Sequence, residues 1–456
     1  MKQLFPAQWI LLFFFMASTF ARNNQNTIGG NPEENGTIFL GTHAQEQRRL
    51  GGDLNNEKTQ HGCERLYHSN PEHLWNRLYT ALFIRRTKDG ILWGCDVSDP
   101  LFWRESDYLF TGERYRTVLA LLDDFNQSHG ERLVTDLLKR ALFQRDLLQV
   151  FSAITHAPTF GGQQNHARER AAIQQRLAVT IRRLGLNQEQ IRQLPSNFDE
   201  AVRSKKFSPH FDPKNPGWPF LPGDLFDPKG PWTLLSSTNR ETLATNHLGD
   251  FNGRSNFQIY VNFPGGKEKL NKFLKMVNAA SIDSLPRLPN GTQFVIVRRA
   301  VLVNSNGEMY SSPFIESVRS IVHTDTAAEP EVGQVFGDFT FSRKRLLAGQ
   351  QGGLRPVRPH EMGFPFLVLQ SPGIDHLEPH EDNPEGFGSH GERPILSSCI
   401  GCHSGNGPVN ATSFNLRRSE GRTIETSDTG SEQSLEGLQS LYRWGVLRAL
   451  MEFAGK

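Results

Sequence analysis

Cysteine is scarce in this sequence, with 4 in 456 residues, at positions 63, 95, 399 and 402. That excludes a disulfide-dense scaffold, and with only one CxxC pair it excludes a zinc site built from two such pairs. Neither sign of charge dominates: 50 Lys and Arg against 48 Asp and Glu leave a formal +2, so no basic field points to nucleic acid. Three motifs of common hydrolases and nucleotide-binding enzymes, G-x-S-x-G, H-E-x-x-H and the P-loop, are missing. Beyond the first twenty residues there is no apolar run long enough to cross a membrane.

A shorter apolar run lies at the start. Met1-Lys2 is a short positive beginning, and Trp9 to Ala17 form an apolar run too short to span a bilayer. Small residues around Thr19-Phe20-Ala21 then suit a signal peptidase, so residues 1–21 read as a cleaved secretory signal, a retained anchor being the alternative. No cysteine follows the run, so a lipid anchor is not indicated. An exported protein meets an oxidising compartment, and Cys63 and Cys95 are then expected to form a disulfide, with free buried thiols the alternative.

Residues 22–60 are rich in Asn, Gly, Gln and Glu and read as a flexible lead-in. Residues 61–200 read as a helical domain. Leu74, Leu78, Ala81 and Leu82 share one helical face after Asn70-Pro71-Glu72; Tyr115, Val118, Leu122 and Phe125 share another. Val134 to Phe151 and Ile173 to Leu184 repeat the spacing, and Asn187 with Gln190 predicts a capping box. The arginines along these helices read as a solvated face. Residues 201–249 form a connecting segment in which proline and aromatics crowd between Phe207 and Trp232, too proline-rich for helix or central strand and suited to wall a pocket or pack as an ordered loop.

Residues 250–372 read as an α+β domain with a mostly antiparallel sheet. Phe257, Ile259, Val261 and Phe263 alternate strictly, and Leu270, Phe273, Leu274 and Val277 predict a helix behind them. The runs around Phe294–Val303 and Phe314–Val322 flank Asn304-Ser305-Asn306-Gly307, a hairpin with an Asn-Gly turn. Phe339 with Phe341, and Phe364 to Leu369, are further strand candidates. The fold class expected is therefore α+β: a helical domain, an antiparallel sheet region, and a short C-terminal segment, 373–456, ending in an amphipathic helix from Leu435 to Met451.

That last segment holds Cys399-Ile400-Gly401-Cys402-His403, a C-x-x-C-H motif between flanks of loop character, Ser397-Ser398 and Ser404-Gly405. Two thiols two residues apart, followed at once by an imidazole, suit covalent attachment of a haem: each thiol adds to one vinyl group and the histidine takes the iron. A redox dithiol or half a metal site are the other readings of a CxxC pair. On these residues the segment resembles the c-type cytochromes. The resemblance implies one covalent haem c held by Cys399 and Cys402, with His403 as proximal ligand, and implies a periplasmic or secreted location, because such haem is attached outside the cytoplasmic membrane. It also implies a distal ligand, for which Met451 and His390 are the candidates, with His376, His380, His360 and Met362 behind them. The loop before the motif adds Asp375, Glu378, Glu381 and Asp382, a polar surface loop or else a metal site. Few residues follow His403, too few for the usual small cytochrome c domain.

Electron transfer with a periplasmic redox partner protein is the function this implies. An open iron site, serving a haem-dependent oxidoreductase or a small-ligand sensor, is the alternative. Peptide mapping without reductant is expected to find Cys63 linked to Cys95; alkylation of both thiols in the unreduced protein would refute the pairing.

Overall fold

The computed structural model describes residues 63–86, 92–103, 106–155, 166–237, 254–281, 284–328 and 333–358, with the shorter stretches 243–244, 247, 361–363, 375, 377, 393–396, 403, 423–427 and 446–454. It is an α+β fold. The expected strand at 364–369 and the expected signal at 1–21 lie outside the described residues.

The helical part carries α1 (Leu74–Phe83), a two-residue ribbon of β1 (Arg85–Arg86) and β2 (Leu92–Trp93), then α2 (Gly112–Gln127), α3 (Leu137–Thr155), α4 (Ala167–Arg183), α5 (Gln188–Arg192) and α6 (Asn197–Arg203). The predicted capping box forms at α5: Asn187 Oδ1 accepts from the Gln190 N–H and Gln190 Oε1 from the Asn187 N–H. At α1 the predicted Asn70 closes only a local turn, accepting from the Glu72 N–H, and His73 caps the helix by accepting from the Trp75 N–H.

Seven strands follow in one antiparallel sheet, among them β3 (Trp232–Ser237), β4 (Ser255–Asn262), β5 (Gln293–Val303), β6 (Met309–His323), β7 (Gln334–Phe341) and β8 (Leu354–Pro356). Helix α7 (Gly266–Ala279) lies between β4 and β5 in the chain, and α8 (Arg343–Leu347) between β7 and β8. A small ribbon of β9 (Met362–Gly363) and β10 (Arg393–Pro394) precedes the C-x-x-C-H motif; β11 (Ile424–Ser427) and α9 (Val446–Ala454) follow it. The order across the sheet is β11-β3-β4-β5-β6-β7-β8. The predicted hairpin joins β5 to β6, with Gly307 at φ +85° where other residues are strained.

Register divides the side chains between two faces. Tyr260, Val295, Val297, Val318 and Phe339 form one apolar face, covered by Phe198 and Ala201 of α6 and by Phe220, Leu221 and Leu225. The proline-aromatic segment is thus an ordered cover for a sheet face. The second face carries Phe257, Ile259 and Val261, under Phe273 and Leu274 of α7 in an apolar cluster that also takes in α1 to α4. The same face carries Arg298, Arg319, Phe336 and Asp338, and it is the more polar of the two.

Between this second face and α3 lies a buried set of four arginines and four carboxylates. Arg298 donates from both Nη atoms to Asp99, at 2.9 Å each, and Arg254 donates to the same carboxylate at 2.8 Å. Glu316 takes Arg145 at 2.6 Å, Ser255 at 2.6 Å and Arg298 at 2.8 Å. Arg298 pairs with Ser317 and Arg299 with Ile315, so Glu316 is a bulged residue with no partner opposite, free to aim its carboxylate at Arg298. Arg343 closes the set on Asp146, and its N–H reaches Asp96 at 2.7 Å. Burial alone would push the Asp99 and Glu316 carboxyls up, but Arg298 with Arg254, and Arg145 with Arg298, hold them below the usual carboxylate range. Asp96 goes the other way, raised by burial.

Cys95 is buried, while the side chain of Cys63 lies outside the described residues.

Asp99→Asn leaves two buried arginines short of their shared anion and is expected to cost about 3–5 kcal/mol in urea unfolding. Because the folded pKa of Asp99 lies below its unfolded value, its contribution is present above about pH 4 and disappears as pH falls toward the folded value. The unfolding free energy of the wild type should therefore fall more steeply below pH 4 than that of Asp99→Asn; parallel pH profiles would contradict this role.

Candidate functional site

His403, the histidine of the C-x-x-C-H motif, lies partly buried over the second face of the sheet. Its ring centre is 6.3 Å from that of Phe336 on β7. His247 stands beside it, its ring centre 6.4 Å away with the two planes only 16° apart. His247 in turn stacks on Phe257 of β4, at 5.7 Å and 30°, and its Nδ1 is shut off from solvent. His323 ends β6 on the same face as Arg319, edge-on to Phe294 at 5.7 Å. Three imidazoles and three phenyl rings thus gather on a patch spanning β4 to β7.

The charges around them explain their protonation. Burial pushes His247 down to about 3, helped by the positive field of Arg319, by His403 and by Arg298. Burial lowers His323 to about 4, with His403 adding to it, and lowers His403, with Arg319 adding to it. Arg319 is held by Asp338, its Nε donating at 2.9 Å. All three imidazoles are therefore neutral at pH 7, the form in which imidazole binds a metal.

Arg393 and Pro394 pair with Gly363 and Met362, and the Ile395 N–H donates to the Glu361 carbonyl at 2.9 Å. Earlier in the segment Asp375, expected in a polar loop, is buried and takes both Nη atoms of Arg85, at 2.9 and 3.1 Å. It is spent on an ion pair that ties this segment to the helical part. Leu396 meets Trp218, Pro219 and Phe220 in a narrow cleft that also takes in Ser320, Val322 and Val335 of the first face, so the proline-aromatic segment does wall a cleft.

Of the residues expected at the site, Cys399, Cys402 and His390 lie outside the described residues, as do His360, His376 and His380. Met451 is placed far from His403. It packs against Gly307 at the β5–β6 turn, whereas His403 faces Phe336, opposite Ile321; at about 3.3 Å per residue, that is roughly 40 Å along β6. Among the described residues no group of three or more His, Cys, Asp or Glu side chains is arranged to hold a bare metal ion, and no helix is long and apolar enough to cross a membrane.

His247, His323 and Arg319 were not among the expected site residues. Alternation did offer a signal for two of them: Arg319, Ile321 and His323 occupy every second position of a buried strand, an unusual place for a cation and an imidazole. His247 had no such signal, being a lone histidine in a segment without periodicity.

No family model matches the chain, and neither a curated protein nor a solved structure is similar to it.

Proposed function

We propose that this chain is an exported c-type cytochrome, carrying one covalently bound haem c and passing electrons to a periplasmic redox partner protein. The observation that carries this reading is the seat of His403: the histidine of a C-x-x-C-H motif lies on a sheet face beside the Phe336 ring and a second imidazole, and is neutral.

The donor set suits the group. Cys399 and Cys402 would hold the haem by thioethers and His403 would bind its iron, which when bound supplies reversible one-electron chemistry. The other residues act on the surroundings. Phe257 and Phe336 present apolar rings that keep water away, and an apolar setting disfavours the extra positive charge of oxidised iron, which raises the reduction potential. The ribbon of β9 and β10 holds the chain a few residues upstream of the motif.

Protein exported alongside a c-type maturation system is expected to show a haem absorption band that survives acid–acetone extraction, and the double variant Cys399→Ala, Cys402→Ala is expected to lose it. An exported wild type without that band would sink the proposal and leave a secreted protein with a CxxC dithiol.

A further inference from the structure

We infer that His247 is the second axial ligand of the haem iron, opposite His403. The inference rests on the haem reading above and deepens it, because it names a ligand roughly 150 residues upstream of the motif.

Three observations lead there. First, geometry: two imidazoles bonded through ring nitrogens to opposite sides of one iron, each at about 2 Å, have ring centres roughly 6 Å apart. His247 and His403 stand 6.4 Å apart. Direct ring-on-ring stacking brings centres closer; His68 and His73, stacked elsewhere in this chain, are at 4.2 Å. The His247–His403 pair is aligned like a stack, at 16°, yet is spaced more widely.

Second, the two rings rest on different strands of one sheet face. Phe257 on β4 supports His247 and Phe336 on β7 flanks His403, so the strands that set the spacing belong to one sheet. A rigid support of this kind positions ligands better than a loop alone. Third, two other candidate donors among the described residues, Met451 and His323, are further or otherwise engaged. Met451 packs at the far end of the β5–β6 hairpin. His323 stands edge-on to Phe294 beside Gln334, and no ring contact links it to His403 among the described residues.

With two imidazoles on the iron, no position stays open to a small molecule, and the protein is an electron carrier; an oxidoreductase or gas sensor would need a vacant site. Two histidines also set a lower reduction potential than histidine with methionine.

The test uses the full-length exported protein and its visible spectrum, oxidised and reduced, with and without carbon monoxide. Wild type is expected to be low-spin and indifferent to carbon monoxide. His247→Ala is expected to keep its haem through acid–acetone, turn high-spin, and shift with carbon monoxide when reduced; added imidazole should restore the low-spin spectrum. His323→Ala should remain like wild type. Should His247→Ala fail to mature, His247→Met keeps an axial donor and is expected to stay low-spin with a raised reduction potential. Covalent haem with an unchanged low-spin spectrum in His247→Ala, or an unchanged potential in His247→Met, overturns the ligand assignment and leaves the cytochrome reading standing. A high-spin wild type also overturns it, whereas a wild type without covalent haem overturns both.

Discussion

Asp99 sits out of water between Arg254 and Arg298, and much of this structure depends on that contact. A lone arginine in an apolar interior loses its hydration without return, and so does a lone carboxylate. Burial is tolerable only when the partners are brought together with good geometry, and here they come from distant parts of the chain. Asp99 belongs to the loop after β2, Arg254 precedes β4, Arg298 lies on β5, Glu316 on a bulge of β6, Arg145 and Asp146 on α3, and Arg343 on α8. An element that shifted by a few ångströms would strand a charge. The ion pairs thus act as a locating device between the helices and the sheet, while the apolar cluster around them supplies the driving force.

The same device reaches the candidate haem site. Arg298 is both a partner of Asp99 and a contributor to the positive field at His247. Arg319, two strand positions beyond Ser317 on the same face, acts on His403 while Asp338 balances it. The imidazoles are thus kept neutral by burial and by cations that are themselves anchored. The two faces of the sheet differ accordingly: one is packed with Val, Tyr and Phe under α6 and the proline-aromatic cover, the other carries charge and chemistry.

Where periodicity was strong, the sequence was legible. Alternation from Phe257 to Phe263 and the Asn-Gly turn at Gly307 foretold β4 and the β5–β6 hairpin, and the 3.6-residue spacing foretold α1 to α4. What escaped was non-local or short. β3 lies at the end of a proline-rich stretch, and β11 has four residues, Ile424 to Ser427, whose strand character comes from pairing with β3. The ion-pair network could not be read either, because Arg145, Asp146 and Gln149 look like the solvated face of α3 until the sheet is laid over them. Within the candidate site, His403 was legible from covalent chemistry at fixed spacing, whereas His247 became meaningful only once tertiary folding set it beside His403.

The two edges of the sheet bear on the stretch between them. β8 occupies one edge and β11 the other, so the described segments before and after the C-x-x-C-H motif are anchored at opposite edges of a seven-stranded sheet. At about 4.8 Å between strands, the two anchors stand roughly 29 Å apart. β11 has four residues paired with β3, and Asn278 of α7 bonds the backbone of Ile424. Short edge strands open at low free energy relative to a sheet's centre. Six of the seven strands precede the motif in sequence, so the sheet is nearly complete before β11 joins its edge.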